Sequence, residues 1–176
     1  MKEMKQLSGA YPQGLLIAKS LKELDFSQLM QVYSEGNLEN SLELWPEESE
    51  HRRIMLAEQE FYNYLNQVFF LTEGAVYLIW VVRGRYVSAL RLEPYRDGLL
   101  LEALETAPDE RRQGYAKMLI GAALELYGEK TIYSHISKRN IASQLTHEAC
   151  GFRKILDHAV YADGSVLHSS GTWCHE

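Results

Sequence analysis

LLLEALETAPDERRQGYAKMLIGAA, residues 99–123, passes from strand to loop to helix without a break. Residues 99–106 form an apolar, extended run that predicts a β-strand ended by Pro108 and Asp109. From Gly114 onward, Tyr115, Met118, Leu119, Ala122 and Leu126 recur at helical spacing. They predict an amphipathic helix over residues 114–127, closed by Gly128. The first amides of a helix have no intrahelical partner and lie at the positive end of its dipole. A strand, a loop and a glycine-opened helix in this order therefore make an anion site. Gly114 allows close approach of a ligand to the backbone, Ala116 keeps the next exposed position small, and Arg111, Arg112 and Lys117 add positive charge. A pyrophosphate is the natural guest. Neither G-x-x-x-x-G-K-[ST] nor G-x-G-x-x-G occurs in the chain, which excludes two common phosphate loops.

Upstream, residues 75–82 (AVYLIWVV) read as a strand, Arg83-Gly84 as a tight turn and residues 86–92 as the answering strand of a hairpin. Residues 94–98 read as a second turn with Asp97-Gly98 as its signal. Downstream, residues 131–136 predict another strand, and Asn140 can cap a helix over residues 141–150 that stops at Gly151. Residues 152–161 and 165–174 predict a closing hairpin around Asp163-Gly164. In the N-terminal part, residues 11–18 predict a first strand and residues 20–33 a helix broken by Gly36 and Asn37. Leu42, Leu44, Trp45 and Pro46 read as an apolar break, with Pro46 in the first turn of a second helix running to about Val68. Ile54, Phe61, Leu65 and Val68 share one face of that helix. The neighbouring aromatic residues Tyr62, Tyr64, Phe69 and Phe70 read, with Phe61, as core. The order of elements implies a layered α+β (mixed α/β) architecture in a single domain spanning residues 1–176.

The segment Arg111-Arg112-Gln113-Gly114-Tyr115-Ala116 resembles the R/Q-x-x-G-x-G/A signature of the GNAT N-acetyltransferases. A hairpin before it, a strand ending near a proline ahead of it, and a helix after it complete the likeness. Farther on stand an asparagine, Asn140, and a helix ending in Gly151-Phe152. The resemblance spans residues 75–161. It implies a mostly antiparallel mixed sheet with helices on both faces, in which two central strands, those around Leu104 and Tyr133, diverge. By the same resemblance, the backbone of Leu104, Glu105 and Thr106 would pair with the pantetheine arm of acetyl-CoA, as an added strand does. Arg111, Arg112, Gln113, Gly114, Tyr115, Ala116 and Lys117 would hold its pyrophosphate, and Asn140 would approach the cofactor between the strands.

The implied reaction is transfer of an acetyl group from acetyl-CoA to an amine. Alkyl amines are mostly protonated at neutral pH and must lose a proton before attack. Glu105 and Glu102, on the strand beside the expected thioester, are the candidate bases; simple alternation puts them on opposite faces. A strand amide near Leu104 would meet the oxyanion. The family often carries a tyrosine, as acid for the leaving thiolate, where this chain has His147; Tyr133 and His135 are further candidates. The acceptor reads as a small amine or an amino-acid-like molecule. A peptide acceptor, or an acyl-CoA-binding module without catalysis, is the alternative.

A net charge of -6 disfavours a nucleic-acid partner and suits a cationic acceptor. The N-terminus has no apolar run of signal-peptide length, and no stretch is long and apolar enough to span a membrane, so a cytoplasmic location is expected. Cys150 and Cys174 have no metal-ligand spacing and read as free thiols, the first in packing and the second in a tail. No metal is expected, and a homodimer is compatible with the chain.

Overall fold

A computed structural model of the protein describes residues 14–176. The element order is β1 (Gly14–Ala18), α1 (Phe26–Val32), α2 (Ser34–Leu44), α3 (Glu50–Gln67), β2 (Val76–Val82), β3 (Arg85–Tyr95), β4 (Gly98–Thr106), α4 (Tyr115–Tyr127), β5 (Ile132–Ser137), α5 (Ile141–Ala149), β6 (Arg153–Leu156), β7 (Ala159–Val160), β8 (Val166–Leu167) and β9 (Ser170–His175). Seven strands form one sheet in the order β1-β2-β3-β4-β5-β9-β6. Every neighbouring pair is antiparallel except β4 and β5.

The sheet separates two cores because successive side chains on a strand take opposite faces. Val76, Leu78, Leu90, Leu92, Leu99 and Leu101 pack on one face beneath Leu119, Ile120 and Ala123 of α4. Tyr77, Ile79 and Ala89 point the other way, against Leu29, Met30 and Val32 of α1 and Leu65 of α3. Burial of a leucine of this kind is worth about 1.5–3 kcal/mol, so each face is held by several such contributions. The expected α+β fold with helices on both faces is the observed one.

Several boundaries differ from expectation. The first strand is β1, and residues 11–13 lie outside the described residues. The helix expected over residues 20–33 splits into a single 3-10 turn, Leu21–Glu23, and α1, because Asp25 caps the latter by accepting the Gln28 amide. Gly36 and Asn37 do not break the chain; they lie inside α2, which continues from α1 through a joint at Tyr33. Leu42 and Leu44 belong to the last turn of α2. Pro46 precedes α3, whose cap is Ser49, accepting the Arg52 amide. Pro94 stays in β3, pairing with Leu99, so the turn before β4 is confined to Arg96-Asp97. The closing hairpin divides: β6 joins the main sheet through β9, while β7 and β8 form a separate ribbon. Cys174 is no tail thiol, being buried in β9 at 2% exposure.

Candidate functional site

β4 and β5 stay together for only three residue pairs, Leu99 with Ile132 through Leu101 with Ser134. The Ser134 hydroxyl donates to the Leu101 carbonyl at 3.1 Å at this last pair. β4 then continues to Thr106 against β3, and β5 to Ser137 against β9. Each strand is thus held from its outer side while the inner edges part, leaving the unpaired backbone of residues 102–106 facing a gap. This is the expected divergence.

Alternation fails at the point where it matters most. Ala89 pairs with Glu105 and Arg91 with Glu102, so three steps along β4 oppose two along β3. The extra residue is a β-bulge, and Ala103 takes the left-handed conformation at φ 49°. The bulge changes the parity of the strand: Ala103 packs with the α1–α3 core and Leu104 with the α4 core. Glu102 and Glu105 therefore share the α1–α3 face, which corrects the expectation of opposite faces. Glu102 pairs with Arg91 at 3.5 Å. Arg91 in turn lies over the rings of Tyr64, Phe69 and Phe61, at 4.9, 5.5 and 5.8 Å. Above Glu105 lies Gly36 of α2, where a methyl group would stand 3.6 Å from Oε1.

The loop after β4 is anchored by Arg85 of β3, which donates to both carboxylate oxygens of Asp109 at 2.7 and 2.9 Å. Arg112 (φ 62°) and Gly114 (φ 85°) are left-handed, and the second of these opens α4. The first helical hydrogen bond of α4 runs from the Met118 amide to the Gly114 carbonyl at 3.1 Å. The amides of Tyr115, Ala116 and Lys117 precede it and need partners from outside the helix. Arg111 forms an ion pair with Glu35 of α2, and its Nε donates to the Thr106 carbonyl at 3.4 Å.

These parts line one cleft of about 680 Å3, within the usual range for small-molecule sites. Leu104, Glu105 and Thr106 form one wall, and Arg111, Arg112, Gly114, Tyr115, Ala116 and Lys117 the end beside α4. Asn140, Ala142, Ser143 and Thr146 come from the start and body of α5. Asn140 also accepts the Ser143 amide at 3.0 Å, which positions it as the cap of α5. Of the residues expected in the binding loop, Gln113 is the one that does not line the cleft. Glu35, Gly36 and Glu39 of α2 close the remaining side. Burial pushes the Glu105 carboxyl above the usual range; the Arg111 charge opposes this, and Glu35 and Glu39 reinforce it. Burial likewise raises Glu102 against the pull of Arg91.

The three candidate acids are not in the cleft lining. His147 is 1% exposed, its Nδ1 is 2.8 Å from the Ser143 carbonyl, and its ring meets Phe152 edge-on. It packs against Phe152 in the interior, while Ser143 and Thr146 line the cleft. Tyr133 donates to Asp97 at 2.7 Å, which pushes its hydroxyl up to about 12. His135 is set between the rings of Tyr95 and Tyr161, at 5.4 and 5.2 Å.

Burial lowers His147 below its ordinary value, with the Ser143 carbonyl opposing, and lowers His135 as well. A histidine held neutral in the fold loses nothing above its unfolded pKa; below it the unfolded chain takes up the proton first and is favoured. The two histidines therefore pull the melting temperature down as pH drops from about 7.5 to 5.5, while the raised carboxyls of Glu102 and Glu105 act in the opposite direction. A His147→Leu variant should give a flatter melting profile over that range. An equally steep profile would show that His147 is not the group responsible.

Arg91, Glu35 and Glu39 were not singled out from the sequence, and Gly36 was read there only as a helix breaker. An arginine amid the apolar residues of β3 was a readable signal, since its inward position demands a partner. The α2 residues gave none, because their place opposite β4 depends on how the helix packs.

The sequence profile of the family described as Acetyltransferase (GNAT) matches residues 29–152. The structure is similar to that of PaiA N-acetyltransferase from Thermoplasma acidophilum in complex with coenzyme A, with TM-score 0.64, 13% identity, and 93% of this chain and 99% of that one covered. It is also similar to the ribosomal-protein-S18-alanine N-acetyltransferase from Escherichia coli, with TM-score 0.58, 15% identity and 92% of each chain covered. At such identities the likeness is one of fold. No curated protein matches the sequence. Among the described residues, no helix is long and apolar enough to cross a membrane, and no three His, Cys, Asp or Glu residues are grouped to hold a metal ion.

Proposed function

Because this chain belongs to the GNAT acetyltransferase family, we propose that it transfers the acetyl group of acetyl-CoA to a primary amine, by direct attack of the amine on the thioester. The observation that carries this reading is the meeting, in one cleft, of the freed inner edge of β4 with the glycine-opened start of α4. The unpaired backbone of Leu104, Glu105 and Thr106 is suited to the amide groups of pantetheine. The amides of residues 112–117, with Arg111, Arg112 and Lys117, are suited to the diphosphate. Asn140 stands where the strands have separated.

Glu105 removes one proton from the acceptor ammonium, a task helped by its raised pKa. The amine nitrogen then attacks the thioester carbon, and the amide of Leu104 meets the oxyanion. As the carbon–sulfur bond breaks, one of the two protons still on nitrogen goes to the departing thiolate and the other stays in the product, giving a secondary amide and free thiol. This route needs no proton from buried His147. Glu102, tied to Arg91, acts on the same face as a second negative charge. Glu35 and Glu39 beside Glu105 favour a small cationic or amino-acid-like acceptor.

Calorimetry with acetyl-CoA, followed by thiol release across a panel of amines, tests the reading. Absence of binding at millimolar ligand would overturn it. Binding without thiol release would instead leave an acyl-CoA-binding module. One variant tests the diphosphate end separately. Arg111 is engaged by Glu35, so an incoming diphosphate must compete with that carboxylate. An exposed ion pair is worth about 0.2–1 kcal/mol, so Glu35→Gln is expected to tighten acetyl-CoA binding by up to about fivefold. Weaker binding would show that Arg111 does not serve the diphosphate.

A further inference from the structure

We propose that Tyr33 is a positioning residue for acyl transfer: its hydroxyl, itself held by Tyr77, pins the left-handed bulge at Ala103 that brings Glu102 and Glu105 to one face of β4. The proposal rests on the acyltransferase reading and adds to it a link from the α1–α2 joint to the acceptor side of the site.

The Tyr33 hydroxyl donates to the Ala103 carbonyl at 2.6 Å, and the Tyr77 hydroxyl donates to Tyr33 at 2.7 Å. The chain of donors thus runs from β2 through the helical joint to β4 in one direction. Neither side chain has freedom to do otherwise. Tyr77 is 0% exposed and packs edge-on against Phe69; Tyr33 is 7% exposed and packs against Phe61. Tyr33 ends α1 and precedes α2, so the helix junction itself aims the hydroxyl at the strand.

The bond falls on the residue that needs it. Alanine in the left-handed region is disfavoured because its Cβ crowds the following carbonyl; glycine has no such penalty. Without an external tie, Ala103 would relax toward an extended conformation and the β3–β4 register would lose its extra residue. A shift of one residue sends every later side chain to the other face. Glu105 would then leave Gly36 and α2 for the α4 side, and the amide of Leu104 would turn with it. Ser88 holds the strand end by donating to the Glu105 carbonyl at 2.7 Å, but it does not touch the bulge residue.

The test uses Tyr33→Phe, Ala103→Gly and the double variant, with crystal structures, acetyl-CoA affinity by calorimetry, and kcat on the best amine of the panel. Tyr33→Phe is expected to lose the left-handed conformation at Ala103 and to lower kcat at least about tenfold. Its affinity for acetyl-CoA should change less, because the diphosphate loop is anchored separately by Arg85. In the double variant, glycine keeps the bulge without help, and kcat should return to within about threefold of the wild-type value. A Tyr33→Phe protein that keeps both the bulge and kcat overturns the proposal. So does a loss of kcat that Ala103→Gly does not restore, which would mark Tyr33 as a packing residue only. Should Tyr33→Phe fail to fold, Tyr77→Phe removes the first donor of the relay and should show a smaller loss with the same rescue. If the wild-type protein releases no thiol with any amine, the functional reading fails, while the conformation of residue 103 in Tyr33→Phe still decides whether the hydroxyl pins the bulge.

Discussion

Glu105→Gln is expected to lower kcat for acetyl transfer by about 10²–10⁴-fold, the span over which a positioned general base contributes. Glutamine keeps the shape and the contact with α2 but cannot take up a proton. Acetyl-CoA affinity should stay within about threefold, because residue 105 offers the cofactor only its backbone. The pH profile separates this cause from a general loss of shape. Burial, Glu35 and Glu39 hold the Glu105 carboxyl above the usual range against the pull of Arg111. The base is active when ionised, so wild-type kcat/KM falls as pH drops through that raised pKa, and the fall begins at higher pH than for a free carboxylate. Glu105→Gln should lose this acid limb along with the rate. A variant that kept the wild-type rate would exclude Glu105 as the base, and the same measurement on Glu102→Gln would then be decisive, since the two carboxylates share a face.

The second large effect is expected at the other end of the cleft. Ala116 lies in the first turn of α4, among the amides that precede the first helical hydrogen bond. Ala116→Glu would place bulk and negative charge where the diphosphate is proposed to sit. Acetyl-CoA affinity should fall at least about 100-fold, or ~2.7 kcal/mol. The fold should not suffer, because an acidic side chain in the first turn of a helix is favourable by about 0.3–1 kcal/mol. Opposite signs for binding and stability distinguish a blocked anion site from a damaged helix. Calorimetry and a thermal melt on the same sample read both. Normal affinity in Ala116→Glu would remove α4 from the cofactor site.

The strand, loop and helix of residues 99–127 were legible because each feature is local. A proline and an aspartate end the strand, a glycine supplies the positive φ at which the helix opens, and apolar residues recur at helical spacing. The same locality made Asn140 readable as a cap and the aromatic hairpin strands readable as sheet. The misread segments are those where a local signal lost to packing. Gly36 looked like a helix breaker, yet α2 passes through it because that stretch is held over β4, next to Glu105.

The chemistry divides along the same line. The charges at residues 111, 112 and 117 and the two carboxylates of β4 are properties of the chain itself, and the sequence alone names them as an anion-binding loop beside candidate bases. Which face each carboxylate takes, which helix stands opposite, and that His147 turns inward rather than toward the cleft were decided only by tertiary structure. The physical reason is that side-chain direction on a strand depends on register. Register here is set by an alanine bulge whose hydrogen-bond donor comes from Tyr33, seventy residues away in the chain.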